Sequence, residues 1–168
     1  NSFGSDRCVV RLESNGAVTI SNSKAYTNTG MGFYIDNSGG TGTVTLKNSS
    51  STSNSTIGLW VITAGSTLMD KVDVLNNTIF GAQVDNSDPT ATLTISRSKF
   101  DYNSNGGITA TMGGNVILNG VSASNNTSAG AQGVYINNFA GTGSVTVLST
   151  YGPNTFNDNG QNGIYVFS

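Results

Sequence analysis

The sequence is short of several residue types, and each shortage narrows what the protein can do. It has no histidine, one cysteine and two prolines, and only 10% of its 168 residues are charged. Seven Lys and Arg against nine Asp and Glu leave a net charge of −2, which excludes the basic footprint of a nucleic-acid-binding protein. No apolar run is long enough to cross a membrane and no signal peptide is visible. We therefore expect a soluble or already processed segment without membrane insertion.

Small polar residues make up more than half of the chain. Gly, Asn, Ser and Thr together occupy 87 of the 168 positions, a bias that disordered linkers also show. Leu, Ile, Val and Phe nevertheless total 39 residues, and a net charge near zero argues against disorder. The distribution of these apolar residues therefore decides between a linker and a folded domain.

The apolar residues recur with a period, together with one asparagine and one glycine. The asparagines are Asn28, Asn54, Asn77, Asn103, Asn126 and Asn159, separated by 26, 23, 26, 23 and 33 residues. A glycine follows each of them, four residues later in every unit except the fifth: Gly32, Gly58, Gly81, Gly107, Gly133 and Gly163. From each glycine to the next apolar triplet the gaps are 12, 9, 12, 9 and 12 residues. This strict alternation indicates six repeats of one structural unit.

Each unit contains two strand-like segments with alternating side chains and a third inward position between them. The first segments are Val18–Ile20, Val44–Leu46, Thr67–Met69, Leu93–Ile95, Val116–Leu118 and Val145–Val147. The second segments are Phe33–Ile35, Leu59–Val61, Ala82–Val84, Ile108–Ala110, Val134–Ile136 and Ile164–Val166. The third positions are Ala25, Ser51, Val74, Phe100, Ala123 and Phe156.

Such units bury their apolar residues only by stacking on one another. The sequence therefore predicts an all-β fold, a parallel β-helix (β-solenoid) of about six coils of 23–26 residues, as a single domain over residues 1–168. One asparagine at a fixed place in each coil predicts a ladder of side-chain amides. Gly and Asn suit the turns, because both tolerate the left-handed backbone region.

The repeated order of Gly-apolar-x-apolar, a turn of Gly, Ser and Thr, Val-Thr-Ile and then Asn resembles the right-handed parallel β-helix repeats of the pectate-lyase-like superfamily. Residues 141–147 (Gly-Thr-Gly-Ser-Val-Thr-Val) and 113–121 (Gly-Gly-Asn-Val-Ile-Leu-Asn-Gly-Val) are also similar to arrays in large secreted bacterial surface proteins. The resemblance covers nearly the whole chain and implies a right-handed β-helix that is extracellular or at the cell surface. It leaves the activity open, because one solenoid hosts enzymes, adhesins and spacers.

An enzyme of this kind would resemble polysaccharide lyases or glycoside hydrolases, which work with calcium-binding acidic clusters or with paired carboxylates. The best pair is Asp36 and Asp85, each four residues after its glycine and two coils apart, or about 9.6 Å. Both begin turns, so we interpret them as Asx-turn residues. Aspartates are too sparse for calcium-binding nonapeptide repeats. The sequence predicts no catalytic residue, no metal site and no cofactor.

One outward column is richer in aromatic residues than the rest of the predicted surface. It reads Tyr34, Trp60, Gln83, Thr109, Tyr135 and Tyr165. Extending the repeat backwards places Val10 and Leu12 inward and Arg11 at the start of this column. Exposed aromatics of this kind serve protein contact or sugar stacking, and cross-strand aromatic pairing alone also accounts for them.

A single cysteine, Cys8, precedes the first of these segments. A lone cysteine is commonly a small buried apolar residue, and in a secreted protein it can also form an intermolecular disulfide. Both interpretations remain open at this stage.

Neither end of the sequence shows a capping segment, although an open coil exposes a full set of strand edges. This indicates either a fragment of a longer array or a subunit that stacks head to tail. In the second case the strand before Ser168 pairs with the first strand of the next copy, through Val9, Val10, Arg11, Leu12, Ile164, Tyr165, Val166 and Phe167.

The sequence therefore favours a non-enzymatic extracellular structural protein, a subunit of a filament, sheath or surface fibre whose partner is another copy or flanking repeats. The alternative is a polysaccharide-binding or polysaccharide-degrading module.

Overall fold

A computed structural model describes residues 8–138 and 141–168, and the regular structure in these two ranges consists of β-strands. None of these residues lies in a helix that is long and apolar enough to cross a membrane. The strands are β1 (Val10–Glu13), β2 (Val18–Ser21), β3 (Lys24–Tyr26), β4 (Phe33–Asn37), β5 (Val44–Thr52), β6 (Leu59–Thr63), β7 (Thr67–Leu75), β8 (Phe80–Asn86), β9 (Thr92–Ser96), β10 (Gly106–Met112), β11 (Asn115–Asn119), β12 (Gln132–Asn137), β13 (Val145–Leu148) and β14 (Ile164–Phe167).

The strands pair in parallel and form two long sheets, which we call sheet 1 and sheet 2. Sheet 1 has the order β1-β4-β6-β8-β10-β12-β14. Sheet 2 follows β2-β5-β7-β9-β11-β13, and β3 also pairs with β5. Isolated bridges join Asp73, Lys99, Ser122 and Thr155 in a third, shorter row. The predicted β-solenoid is confirmed, because each turn of the chain contributes a strand to each sheet and pairs with the turns before and after it.

The core is a stack of inward side chains arranged in columns. Val44 and Leu93 of sheet 2 and Leu59 and Val134 of sheet 1 are fully buried. The third predicted position is buried in five coils, where Phe100 has no exposed surface, whereas Phe156 of the last coil is only partly buried. A single coil could not bury these residues alone. The hydrophobic free energy that drives folding therefore comes from contact between neighbouring coils.

The repeated asparagines form the predicted amide ladder. The Nδ2 of Asn54 donates to Oδ1 of Asn77 at 2.9 Å, and the Nδ2 of Asn77 donates to Oδ1 of Asn103 at 3.0 Å. Between Asn103 and Asn126 the donor is the backbone N–H of Asn103, which lies 2.8 Å from Oδ1 of Asn126. From Asn54 onward, the Oδ1 of each ladder residue also accepts the backbone N–H of the preceding ladder residue, so the ladder satisfies backbone groups that have no strand partner.

The left-handed residues of the turns are not the ladder asparagines. In each coil the residue directly before the ladder position has a positive φ of 53–60°: Thr27, Ser53, Asn76, Tyr102, Asn125 and Asp158. A second left-handed column, with φ of 48–67°, lies earlier in the coil at Asn22, Asn48, Lys71, Arg97 and Gly120. The general expectation that Gly and Asn occupy these positions fails at six of them: Thr27, Ser53, Lys71, Arg97, Tyr102 and Asp158. There the stacked neighbours dictate the backbone conformation.

The repeated glycine is required by close stacking rather than by a positive φ. A Cβ at Gly32 would lie 2.6 Å from the carbonyl oxygen of Gly58, and a Cβ at Gly58 would lie 2.9 Å from that of Gly81. Real Cβ atoms do not approach an oxygen so closely. The glycine column therefore marks a place where adjacent coils lie too close for a side chain.

Candidate functional site

The predicted aromatic column is confirmed on the outer face of sheet 1. The strand register places Arg11 beside Tyr34, Tyr34 beside Trp60, and Tyr135 beside Tyr165. Gln83 and Thr109 fill the two positions between Trp60 and Tyr135, in register with both. We call these seven residues the aromatic column.

Two aromatic pairs stand at the two ends of this column. Tyr34 and Trp60 meet edge to face, with ring centroids 5.6 Å apart and an interplanar angle of 87°. Tyr135 and Tyr165 are stacked, with centroids 5.7 Å apart and an angle of 7°. Both geometries are favourable for aromatic rings, so pairing between strands accounts for part of the column.

Arg11 extends the first pair towards the N-terminal end. Its guanidinium lies 5.2 Å from the centre of the Tyr34 ring. Its Nε and Nη2 donate to Oε1 of Glu13 at 2.9 and 2.6 Å. The side chain is thus held by an aromatic face and a carboxylate at once.

A second outward column runs beside the aromatic column, two residues further along each strand. It consists of Glu13, Asp36, Ile62, Asp85, Thr111, Asn137 and Phe167, in register from strand to strand. We call it the carboxylate column, because three of its members are acidic. The predicted alignment of Asp36 and Asp85 two strands apart is confirmed.

Asp36 closes a turn, as predicted. Its Oδ1 accepts hydrogen bonds from the hydroxyl and the backbone N–H of Ser38, at 2.6 and 3.1 Å. These bonds stabilise the ionised form and lower the pKa of the Asp36 carboxyl. Desolvation, followed by the nearby charge of Asp36, raises the pKa of the Tyr34 hydroxyl.

Asp85 has a different role, and its interpretation as an Asx-turn residue is wrong. Its Oδ2 accepts hydrogen bonds from Nε1 of Trp60 at 2.7 Å and from Nε2 of Gln83 at 2.9 Å. The Asx turn at this place is made by Asn86, which accepts from the backbone N–H of Asp88 at 2.8 Å. Sequence reasoning missed the contact between Asp85 and Trp60, although the predicted register already placed them on neighbouring strands.

A shallow groove of about 270 Å³ lies along the carboxylate column next to Asp85. Its walls include Ser38, Ile62, Ser87 and Thr111 together with Asp85. It therefore combines one ionised side chain with short apolar and hydroxyl-bearing ones.

The predicted end-to-end interface residues lie at opposite ends of sheet 1. At the C-terminal end Ile164, Tyr165, Val166 and Phe167 are 37–43% exposed. Val147 of sheet 2 is 47% exposed, although its equivalents in earlier coils are buried. At the N-terminal end Val9 is exposed, and Val10 and Leu12 are half-buried against the core. The large apolar exposure is therefore concentrated at the C-terminal coil.

Arg97 and Tyr151 also contribute to the surface near this coil, and the sequence did not predict their contact. Arg97 donates to Asp70 at 2.6 and 2.8 Å and lies 4.6 Å from the ring centre of Tyr151. Tyr151 comes from the turn region after β13, where the spacing of the repeats is longer, so periodicity gives no signal for it. The contact ties the last coil to the coils below it.

Other chemistry is sparse on the described surface. Within residues 8–138 and 141–168 there is no group of three or more His, Cys, Asp or Glu side chains that could hold a metal ion. Cys8 is half-buried. It is the sole cysteine of the chain.

Comparison with known proteins gives one positive result. The model of a family described as the right handed beta helix region matches residues 1–130 and, in a second overlapping alignment, residues 40–168. No curated protein and no solved structure matches the chain.

Proposed function

Because the chain belongs to the right-handed beta helix family, we propose that it is a non-enzymatic extracellular structural protein. In this proposal it is a β-solenoid subunit that stacks head to tail in a filament, sheath or surface fibre. Its partner is a second copy of the same chain or flanking repeats. The extracellular location follows from the resemblance to arrays in secreted surface proteins.

The exposed C-terminal coil is the observation that carries this proposal. Val166 and Val147 are 40% and 47% exposed, whereas Ile136 and Leu118, their equivalents one turn earlier, have no exposed surface. Covering such side chains with another coil removes apolar surface from water. It also pairs the outer edge of a β-strand, which is otherwise a template for association.

The register of sheet 1 can continue from one copy to the next. Continuing the columns puts Ile164 against Val10 of the next copy and Val166 against Leu12. Tyr165 then meets Arg11, whose guanidinium would lie between Tyr165 and Tyr34 of its own chain. An interface that joins different surfaces of identical subunits does not close on itself, so it yields a filament.

Association between separate copies is a mass-action equilibrium, so we expect assembly that depends on protein concentration.

The assembly state of the purified chain tests this proposal. We expect sedimentation velocity to show concentration-dependent growth and electron micrographs to show thin filaments. Val166→Asp should abolish the growth, because it places a charge in the junction. Thr19→Asp, which puts the same charge on an exposed outward position of β2, should leave it intact. A monomer at every concentration, or equal loss in both variants, contradicts the proposal.

A second candidate function, polysaccharide binding, is supported by the two aromatic pairs, which are only partly buried. Tyrosine and tryptophan faces stack on sugars. Binding of soluble polysaccharides without self-assembly, lost in Tyr135→Ser, would favour it over the filament.

Polysaccharide degradation is less well supported than polysaccharide binding, because neither Asp36 nor Asp85 suits the role of a general acid. A general acid needs a raised pKa, whereas hydrogen bonds from Ser38 lower the pKa of Asp36. Asp85 is engaged with Trp60 and Gln83. Depolymerisation that is lost in Asp36→Asn would contradict the non-enzymatic proposal.

A further inference from the structure

We propose that the face of sheet 1 around Trp60 and Asp85 binds arginine side chains of a basic segment on a partner protein. This inference does not depend on filament formation. It concerns the outer face of the solenoid rather than its ends.

The molecule already contains one example of this recognition. The guanidinium of Arg11 lies 5.2 Å from the Tyr34 ring centre and donates two hydrogen bonds to Glu13. An aromatic ring in one column and a carboxylate in the next therefore hold a guanidinium on this face. The arrangement combines a cation–π contact with a charge-assisted hydrogen bond.

Trp60 and Asp85 repeat the same pair of groups, and the place of Arg11 is taken by Gln83, a neutral residue that is in register with Trp60 and donates to Asp85. Indole is the strongest cation–π partner among the side chains, and Trp60 is half-buried. The hydrogen bond from its Nε1 to Oδ2 of Asp85 holds the ring next to the carboxylate. Within the described part of the chain, both hydrogen bonds to Asp85 go to Oδ2, which leaves Oδ1 as an acceptor for an incoming donor.

The charge of this face favours a cationic ligand. The aromatic and carboxylate columns together contain three acidic residues, Glu13, Asp36 and Asp85, and one basic residue, Arg11. Arg11 belongs to β1, three strands away from Asp85 in the order of sheet 1, and already bonds Glu13. The surplus negative charge on the face agrees with the net charge of −2 of the whole chain.

The groove beside Asp85 provides room for the aliphatic stem of a long side chain. It is about 270 Å³ in volume, and Ile62 and Thr111 line it on either side of Asp85 in the column. Arginine stems pack on apolar surface while the head group stays polar. The planar guanidinium can stack on indole and donate in a fork, which the ammonium of lysine cannot do. We therefore expect arginine to bind more tightly than lysine.

Trp60 is the sole tryptophan of the chain, so intrinsic fluorescence reports directly on the proposed site. An arginine-rich peptide should give a saturable change in Trp60 emission, and a lysine-rich peptide of equal length should bind several times more weakly. A peptide in which glutamate replaces arginine should give no change. Equal binding of the arginine and lysine peptides, or saturation by neutral oligosaccharides alone, overturns the proposal.

Two variants and a matched control separate this site from general attraction between opposite charges. Their affinities are measured with a fluorescently labelled arginine peptide, because Trp60→Leu removes the intrinsic signal. Asp85→Asn and Trp60→Leu should each weaken binding by about tenfold. Asp73→Asn removes the same charge from sheet 2 and should leave the affinity unchanged. If Asp73→Asn weakens binding as much as Asp85→Asn, only the net charge matters and the proposed site is wrong.

Discussion

The indole N–H of Trp60 donates a 2.7 Å hydrogen bond to Oδ2 of Asp85, a residue of the neighbouring strand of sheet 1. The bond crosses diagonally from the aromatic column to the carboxylate column. It fixes the orientation of the Trp60 ring on the outer face of the sheet. The partner is an acid whose sequence context suggested only a turn.

Removing this acceptor should lower stability. Asp85→Ala leaves Trp60 Nε1 and Gln83 Nε2 without their acceptor. Because both groups are only half-buried and water replaces part of the bond, we expect a loss of about 1 kcal/mol in the free energy of unfolding. Urea unfolding followed by circular dichroism measures it. Asp73→Ala is the matched control, and an equal loss there would contradict the assignment.

A substitution in the middle of the amide ladder should lower the free energy of unfolding much more than a substitution at its first residue, Asn28. Asn77 is 1% exposed, and its Oδ1 accepts from both the backbone N–H and the side chain of Asn54. Asn77→Ala strands these buried donors and should cost about 3 kcal/mol or more. Asn28→Ala removes only a donor and should cost about 1 kcal/mol. Equal losses in chemical unfolding would mean that the ladder bonds carry little energy.

The glycine column should not accept a methyl group. Gly32→Ala would place its Cβ 2.6 Å from the carbonyl oxygen of Gly58, and backbone atoms in a stacked sheet have little freedom to move. We expect a loss of about 3 kcal/mol or more, seen as a large fall in the melting temperature. Gly16→Ala meets nothing closer than 4.0 Å and should be neutral. A tolerated Gly32→Ala would show that adjacent turns can separate.

One tyrosine occupies a backbone conformation that suits asparagine better. Tyr102 has a φ of 60° and is 59% exposed, so its side chain loses little packing on replacement. Tyr102→Asn should raise the free energy of unfolding by about 1 kcal/mol. Tyr26→Asn replaces a similarly exposed tyrosine in the strand β3 and should not stabilise. If both variants are more stable, the gain comes from replacing an exposed aromatic ring by a polar side chain rather than from φ.

Acid should destabilise the fold partly through Asp70. Hydrogen bonds from Arg97, followed by that from Ser96, lower the pKa of the Asp70 carboxyl. A carboxyl with a lowered pKa in the folded state stabilises the fold above its unfolded pKa, near 3.9. That contribution disappears as the pH falls through the folded value.

The melting temperature should therefore fall as the pH decreases below about 4. In Asp70→Asn the fall should be smaller, since this carboxyl no longer titrates. Melting curves from pH 7 downwards measure the difference. Parallel curves for the two proteins would exclude Asp70 as a contributor.

Much of the architecture follows from spacing along the chain. The alternation at Val18–Ile20 and Phe33–Ile35 predicts strands, and the constant distance to Asn28 and Gly32 aligns each unit with the next. Because a one-residue slip would turn every apolar side chain outward, the period alone predicts the register of both sheets. The aromatic column follows from the same arithmetic, including Arg11 at its start.

The remainder depends on contacts that spacing does not describe. The predicted strand order is compatible with two hydrogen-bond partners for Asp85: Ser87 in a turn, or Trp60 on the neighbouring strand. The direction of the Asp85 side chain decides between them. The left-handed conformations of Lys71, Arg97 and Tyr102 oppose their local preference, since the neighbouring turns impose them. The contact of Arg97 with Tyr151 joins segments of unequal repeat length.

The order of residues alone predicts a stack of six coils, its two sheet registers, its amide ladder and the alignment of its outer columns. Periodicity suffices for these features because parallel stacking repeats one unit at a constant offset. The folded chain is needed to see which outward side chains bond one another, why the repeated glycine must be glycine, and that apolar exposure is concentrated at the C-terminal coil. These depend on distances of a few ångströms between turns, and such distances follow from packing in three dimensions rather than from the order of residues.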